Sequence, residues 1–208
     1  GIHEAAADDV PEPYREKLTV IIQSAIPPRE PHRPVKRELR ALVVGHLRDV
    51  KDPFRPALAA RHLPAESRLV IHHLGLAPDA DWAAAARAEM AANPRYLWHG
   101  ELPNWRVRRA LARAHLLIHP SLMEGGANAV GEAIAAGVPV VASAIPGNTG
   151  LLGRDYPGTF PVQDTAALAA LLRRAEAEPA FYRELVSHCR QRAPLFAPER
   201  EASAWRAL

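Results

Sequence analysis

Two glutamates, Glu124 and Glu132, are separated by seven residues, and two glycines, Gly125 and Gly126, directly follow the first of them. Glycine lets the backbone turn sharply, and a helix that begins after such a turn exposes its first amide groups. Those amides, together with the positive end of the helix dipole, attract anions such as phosphate. The spacing therefore predicts an anion site framed by two carboxylates, the second about one turn into the helix.

The flanking residues predict the elements that position this loop. Apolar runs at 116–118 and 138–142 have the length of buried strands, and a helix lies between them. Asn128 is expected to cap the start of the helix, and Gly137 to end it in a left-handed conformation. Two parallel strands joined by a helix place residues 123–127 at the carboxyl edge of the sheet.

A simpler interpretation stays open for the two carboxylates alone. Glu132 would be a solvated helix residue, and Glu124 a favourable charge near a helix start, stabilising it by roughly 0.3–1 kcal/mol.

A second strand-to-helix loop is basic. A strand over 39–45 ends at Gly45, a polar stretch covers 46–52, and Pro53 opens a helix that runs to about residue 62. Lys51 lies in this loop and is one of only three lysines in the chain. A basic loop at the carboxyl edge of a sheet can bind phosphate, although an ordinary surface loop would look the same.

Strands and helices alternate along the rest of the chain, which predicts an α/β fold with a doubly wound parallel sheet. A further strand is predicted at 18–23, a glycine-rich loop at 144–153, and a helix that begins after the cap residue Asp164. The other predicted strands are 68–74 and 95–98, and the predicted helices are 79–92, 104–114, 165–177, 181–192 and 198–208.

Length and composition predict one domain with extensions. The chain has 208 residues, of which 48% are hydrophobic, and no apolar run reaches the ~20 residues that span a bilayer. We expect a cytoplasmic protein with a proline-rich linker at 1–38, its core domain at 39–197 and a terminal helix at 198–208. Residues 29–36 should be exposed.

Charge and cysteine usage argue against several other functions. The net charge is only +3, and the densest arginine group, at 106–113, is expected to be the solvated face of a helix, so nucleic-acid binding is not favoured. Cys189 is the single cysteine, which excludes an internal disulfide. His115 and His119 lie too far apart on a strand to share a metal easily, and we interpret them as structural.

The motif Glu-x7-Glu followed by Ala-x-Ala-x-Gly-x-Pro-Val-Val-Ala-Ser resembles that of glycosyltransferase family 4, whose retaining enzymes consist of two Rossmann-like domains (the GT-B type). The resemblance covers about residues 40–200, the donor-binding half. It implies that Glu124 faces the donor sugar as the catalytic residue, and that Glu132 binds the ribose diol. The family also carries Gly-Arg-x4-Lys for the donor pyrophosphate. Gly45 and Lys51 match it, but His46 replaces the arginine, and Arg48 is favoured as its substitute.

The resemblance implies a UDP-sugar as donor, with no metal and no other cofactor. It places the nucleobase against Gly100 and Leu102. The amides that would meet the diphosphate belong to the loop and first helical turn, Gly125, Gly126, Ala127 and Asn128.

Finer motifs at 46–55, 123–130, 147–158 and 195–201 resemble the selenosugar synthases of selenoneine biosynthesis. This implies transfer of a sugar such as glucose or N-acetylglucosamine to selenophosphate. The acceptor-binding amino-terminal domain of such an enzyme is not in this sequence. The remaining alternatives are a family 4 enzyme with another acceptor, a nucleotide-binding module without chemistry, and a basic nucleic-acid-binding protein.

Overall fold

The computed structural model describes the backbone of residues 1–208 and every side chain except that of residue 9. Its centre is a parallel sheet of six strands in the order β3-β2-β1-β4-β5-β6. The strands are β1 Leu39–Val44, β2 Leu69–Leu74, β3 Tyr96–Trp98, β4 Leu116–His119, β5 Val140–Ser143 and β6 Thr159–Phe160. The predicted doubly wound parallel sheet is confirmed, with β6 as a short additional strand.

Helices cover both faces of the sheet. The α-helices are α1 Arg55–Ala60, α2 Ala80–Ala92, α3 Asn104–Arg113, α4 Asn128–Ala135, α5 Pro146–Leu152, α6 Thr165–Ala177, α7 Pro179–Arg192 and α8 Pro198–Arg206. Short 3-10 helices lie at Glu4–Asp9, Glu12–Lys17, Asp49–Lys51 and Ala193–Phe196. The helix predicted to start at Pro53 starts only at Arg55, because Asp52 adopts a left-handed conformation with φ 44° that interrupts it.

The central strands are buried as their apolar sequences require. All four residues of β4 and all four of β5 are buried, since helices cover both faces of a parallel sheet. The strand β1 pairs with β2 on one side and with β4 on the other. The direction of winding changes between β1 and β4, and such a switch point opens a crevice at the carboxyl ends of the strands.

Helix α4 starts at Asn128, one residue earlier than it would if Asn128 were the cap. Asn128 is the first helical residue, Ala127 occupies the cap position, and no side chain caps the helix there, so the predicted Asn128 cap is wrong. The Ala127 carbonyl instead accepts the N–H groups of Val130 and Gly131. The other end is as predicted, because Gly137 has φ +74°.

The strand predicted at 18–23 does not form. This segment is extended but outside the sheet, and it bonds to the amino terminus: the Ile21 N–H donates to the Gly1 carbonyl over 2.8 Å. Its apolar pattern has another cause. Ile21 and Ile22 are buried, and Ile22 belongs to the main core, so side-chain packing alone accounts for the apolar run.

The glycine-rich segment 144–153 was predicted as a loop, but most of it forms helix α5. Pro146 lies in the first turn, where its fixed φ favours a helix start, and Gly153 ends the helix with φ +97°. Gly147 is needed for close packing rather than for a turn. A β-carbon there would lie 2.4 Å from the Glu124 carbonyl oxygen.

The two ends of the chain lie on the surface around this domain. Residues 29–36 form no helix or strand and are largely exposed, as predicted. In α8, the Trp205 side chain is 60% exposed. Among the residues that the structure describes, we find no helix with the length and apolar character needed to cross a membrane.

Candidate active site

The candidate site lies at the switch point, where the loops after β1 and β4 meet. The Leu122 N–H donates to the Val50 carbonyl over 2.8 Å and ties the two loops together. This contact brings the basic loop and the first glutamate of the motif to the same edge of the sheet, although Lys51 and Glu124 are 73 positions apart in the sequence.

The Glu124 carboxylate is the most heavily hydrogen-bonded side chain of the site. Its Oε1 accepts from Lys51 Nζ over 2.5 Å and from Ser121 Oγ over 2.7 Å, and it lies 3.1 Å from His119 Nε2. All three contacts use the same oxygen. Within the described part of the chain, Oε2 has no hydrogen-bond partner and remains available as an acceptor.

These contacts fix the charge of the carboxylate. Burial by itself would raise the pKa of Glu124, but the three hydrogen bonds outweigh burial and lower it to about 2. Glu124 therefore stays ionised at physiological pH. It can accept hydrogen bonds and stabilise positive charge, but it holds no proton to donate.

An open cleft of about 350 Å³ adjoins this cluster. Its walls come from the ends of β1 and β2, the loop before α3, and helix α4. Five residues predicted from the sequence line it: Gly45, His46, Lys51, Leu102 and Glu132. The structure thus brings together the predicted phosphate ligand and the second glutamate of the motif.

Glu132 faces this cleft without a partner. Its carboxylate is half-buried and makes no hydrogen bond or ion pair with any described residue. Burial raises the pKa of Glu132, and the nearby positive charge of Arg108 only partly offsets it. A carboxylate that faces a cleft without a protein donor can accept hydrogen bonds from a ligand, so Glu132 is suited to bind hydroxyl groups.

The structure distinguishes between His46 and Arg48, the two residues considered for the second phosphate contact. His46 lines the cleft, and its Nδ1 accepts the Leu76 N–H over 3.0 Å, which in a neutral ring leaves the hydrogen on Nε2. Arg48 is exposed, does not line the cleft and makes no side-chain hydrogen bond with the described residues. The sequence favoured Arg48, whereas the geometry favours His46.

The loop after β3 closes the far end of the cleft through backbone contacts. Gly100 has φ +70°, and its carbonyl accepts the Gly75 N–H over 2.8 Å. Gly75 itself must lack a side chain, since a β-carbon would lie 1.8 Å from the Gly45 carbonyl oxygen. The loop after β2 therefore lies between the two loops predicted to hold phosphate and base, and both of those loops line the same cleft.

The loop 125–128 lies beside the cleft rather than within it. Gly126, Ala127 and Asn128 line a separate cavity of about 80 Å³, which also reaches Glu132. Ile2 packs over this loop: a β-carbon at Gly126 would lie 2.5 Å from its Cδ1, and one at Gly125 would lie 3.9 Å from it. The side chain of Ile2 thus covers the loop where the diphosphate was expected.

Two residues of the site, His119 and Ser121, were not predicted from the sequence. His119 was interpreted as a structural histidine, but it ends β4 and lies beside Glu124. Their position at the carboxyl end of a central strand was the signal that could have identified them. The described residues contain no group of three or more His, Cys, Asp or Glu side chains able to hold a metal ion.

A six-stranded parallel sheet with a polar cleft at its switch point defines a Rossmann-like ligand-binding domain. Residues 28–195 match the family described as "Glycosyl transferases group 1". The chain belongs to this family.

Comparison with an individual protein agrees with this family assignment. The chain is 26% identical over 161 residues to Glycosyltransferase 1 domain-containing protein 1 of Xenopus tropicalis, a match that covers 77% of this chain and 46% of that protein. The chain thus spans about half the length of this relative.

Solved structures share the fold. Sucrose-phosphate synthase from Thermosynechococcus elongatus superimposes with a TM-score of 0.72 at 24% identity, covering 94% of this chain and 54% of that one. A UDP-forming α,α-trehalose-phosphate synthase from Burkholderia xenovorans gives 0.69 at 17% identity, with 82% and 42% covered. A variant of S. aureus TarM, solved with UDP and other ligands, gives 0.73 at 16% identity, with 91% and 38% covered. All are GT-B glycosyltransferase folds.

Proposed function

We propose that this chain is the donor-binding domain of a retaining glycosyltransferase of the family 4 type and that it binds a UDP-sugar. One observation carries the proposal: Lys51, His46 and the unpartnered carboxylate of Glu132 line a single cleft at the switch point. Cationic and N–H donors suit a diphosphate, and a carboxylate acceptor suits a ribose diol.

The chemistry of sugar transfer fits these groups. When the bond between the anomeric carbon and the donor diphosphate breaks, negative charge develops on the departing diphosphate. A positioned ammonium group lowers the energy of that charged transition state more than that of the ground state. We assign this role to Lys51, with the Nε2–H of His46 as a further donor.

Glu124 has a different role in this proposal. It is ionised, it adjoins Lys51, and its Oε2 is without a partner among the described residues. A carboxylate of this kind can orient the donor sugar through a hydroxyl group and stabilise positive charge that develops at the anomeric carbon. It does not act as a general acid, because its pKa of about 2 leaves it without a proton at neutral pH.

The acceptor is a separate part of the proposal. The sequence motifs shared with selenosugar synthases support selenophosphate as the acceptor and a selenosugar as the product. Because the chain spans about half of its relatives, we propose that a second, amino-terminal domain supplies the acceptor site. That same coverage favours the alternative of a nucleotide-binding module without chemistry of its own.

Calorimetric titration of the chain with UDP, UDP-glucose, UDP-N-acetylglucosamine and an oligonucleotide, each at two salt concentrations, tests the proposal. We expect UDP and at least one UDP-sugar to bind, the oligonucleotide to bind weakly, and any oligonucleotide binding to fall steeply with salt. Tight oligonucleotide binding without UDP binding would refute the proposal. Binding of UDP with no preference for any sugar would favour the module without chemistry.

A further inference from the structure

His119 is a buried histidine whose polar contacts are all directed at the candidate site. It is 3% exposed, and its Nε2 lies 3.1 Å from Glu124 Oε1 and 3.3 Å from Ser121 Oγ. An ionised carboxylate can only accept a hydrogen bond, so Nε2 carries the hydrogen and donates it. Buried polar side chains are generally hydrogen-bonded, and the partner that this imidazole has is the carboxylate.

The backbone of His119 is held more firmly than that of the other donors. It is the last residue of β4 and pairs with Ala142 of β5 inside the sheet. Lys51, in contrast, is 29% exposed at its side chain and reaches Glu124 through a flexible four-carbon stem. One donor to the carboxylate is therefore fixed by the fold, and another can move.

Ser121 is the second fixed donor. The Ser143 Oγ donates to the Ser121 carbonyl over 2.5 Å, and Asn148 Nδ2 donates to Ser143 Oγ over 3.1 Å. These buried contacts from β5 and α5 hold the turn that presents the Ser121 hydroxyl to Glu124.

We propose that His119 is a positioning residue: with Ser121 it holds Oε1 of Glu124, so that the carboxylate keeps its orientation when Lys51 turns toward a donor diphosphate. This inference rests on the proposed function for the role of Lys51 and for the sugar that meets Oε2. The contact between the imidazole and the carboxylate does not depend on that function, and it can be tested without a ligand.

The first test measures the pKa of Glu124 by NMR in the ligand-free protein. His119→Phe removes the donor at similar volume, and His119→Gln replaces it with an amide N–H. We expect the pKa of Glu124 to rise by about one unit or more in His119→Phe and to return toward the wild-type value in His119→Gln. His115→Phe is the control, because His115 accepts from the Arg40 N–H and does not reach Glu124.

The wild-type protein gives a measurement that does not depend on how a variant folds. The ¹⁵N shift of His119 Nε2 should be that of a protonated nitrogen. An unprotonated Nε2, or a Glu124 pKa that does not move in a folded His119→Phe protein, would overturn the inference.

The second test compares affinities for UDP with those for UDP-glucose and UDP-N-acetylglucosamine. We expect His119→Phe to leave the affinity for UDP unchanged and to reduce the ratio of UDP-sugar affinity to UDP affinity about tenfold. The His119→Gln variant should recover much of that ratio. Equal loss for UDP and UDP-sugar would mean a merely structural role and would overturn the inference. If the wild-type protein binds none of the three ligands while the pKa shift occurs, the proposed function fails and the contact stands.

Discussion

At the residue scale, the contact between Lys51 and Glu124 links the two motifs of the site. A lysine ammonium group has three N–H donors, and the carboxylate takes one of them. Its other donors can meet phosphate oxygens in the cleft that Lys51 lines. We expect a bound diphosphate to draw Lys51 toward it, while His119 and Ser121 keep the carboxylate of Glu124 in place.

Lys51→Ala should weaken UDP binding by roughly 1.5–3 kcal/mol, the usual contribution of a hydrogen bond to a charged group. The thermal unfolding midpoint should change little, because the side chain is partly exposed. Calorimetry checks the first expectation and calorimetric unfolding the second. Arg48→Ala is a matched control for loss of a basic side chain from the same loop, since Arg48 is exposed and outside the cleft. An affinity that falls with Arg48→Ala and not with His46→Ala would reverse our choice of His46.

Glu124→Gln should spare UDP and harm UDP-sugar. The amide keeps the shape of the side chain but removes the charge that competes with phosphate for Lys51, so UDP affinity should stay constant or rise severalfold. The preference for UDP-sugar over UDP should fall. A parallel loss of affinity for both ligands would show that Glu124 contributes to the diphosphate site instead.

Glu132→Gln should reduce UDP affinity and, above all, the preference for UDP over 2′-deoxy-UDP, because the ribose diol donates to a carboxylate. Glu132→Gln should also change the pH dependence of stability. Burial raises the pKa of Glu132 in the folded protein above its ordinary value, so the wild-type protein should lose stability as the pH rises through that pKa and the carboxylate ionises. The variant should therefore unfold at a higher temperature than wild type at pH 7 but not at pH 4. If neither the diol preference nor this pH dependence appears, Glu132 is a solvated helix residue.

At the scale of the elements, the sequence correctly predicted strands, helix ends and caps that depend on a few neighbouring residues. The buried runs of β4 and β5, the left-handed Gly137 and the cap of α6 by Asp164 were correct, because periodicity and cap chemistry act within a few residues. The α6 cap shows this directly, since the Asp164 carboxylate accepts the Ala167 N–H over 2.8 Å.

The errors concern segments whose environment comes from distant parts of the chain. Residues 18–23 look like a strand because they are apolar, but their partners are the amino terminus and the core beneath them. The glycines of 144–153 suggest a loop, but Gly147 is there because Glu124 packs against it. His119 is a different case, because its partner Glu124 is only five residues away in the sequence. Periodicity does not show that the turn after β4 brings the two side chains together.

The packing of α5 against the Glu124 loop gives a prediction at this scale. Gly147→Ala would place a β-carbon 2.4 Å from the Glu124 carbonyl oxygen, so the helix or the loop must move. We expect loss of stability of about 1–3 kcal/mol and a weaker preference for UDP-sugar over UDP. Thr149→Ala in the same helix is the control, because the Thr149 hydroxyl donates to the carbonyl of Ile145, the residue just before this helix, and does not reach the Glu124 loop. Unchanged sugar preference in Gly147→Ala would show that α5 does not position Glu124.

At the scale of the whole molecule, the cleft is open on one side. Loops after β1, β2 and β3, together with helices α3 and α4, supply one wall. The chain covers between 38% and 54% of the similar proteins compared above. Trp205 and Leu208, at the end of the chain, are 60% and 72% exposed. Exposed apolar side chains of this size suit contact with a further domain. We infer that the opposite wall belongs to the proposed acceptor-binding domain.

If the acceptor site lies in the proposed amino-terminal domain, the 208-residue chain should bind nucleotide but transfer no sugar. An amino-terminal acceptor domain, fused or added in trans, should restore release of UDP from a UDP-sugar when selenophosphate is present. The measurement is UDP release with and without that domain, with Lys51→Ala as the inactive control. Turnover by the chain alone would contradict the divided site. A reconstituted enzyme that ignores selenophosphate but glycosylates another acceptor would remove the selenosugar assignment. It would leave the proposed donor site unaffected, since the roles proposed for Lys51, His46 and Glu132 concern only the nucleotide.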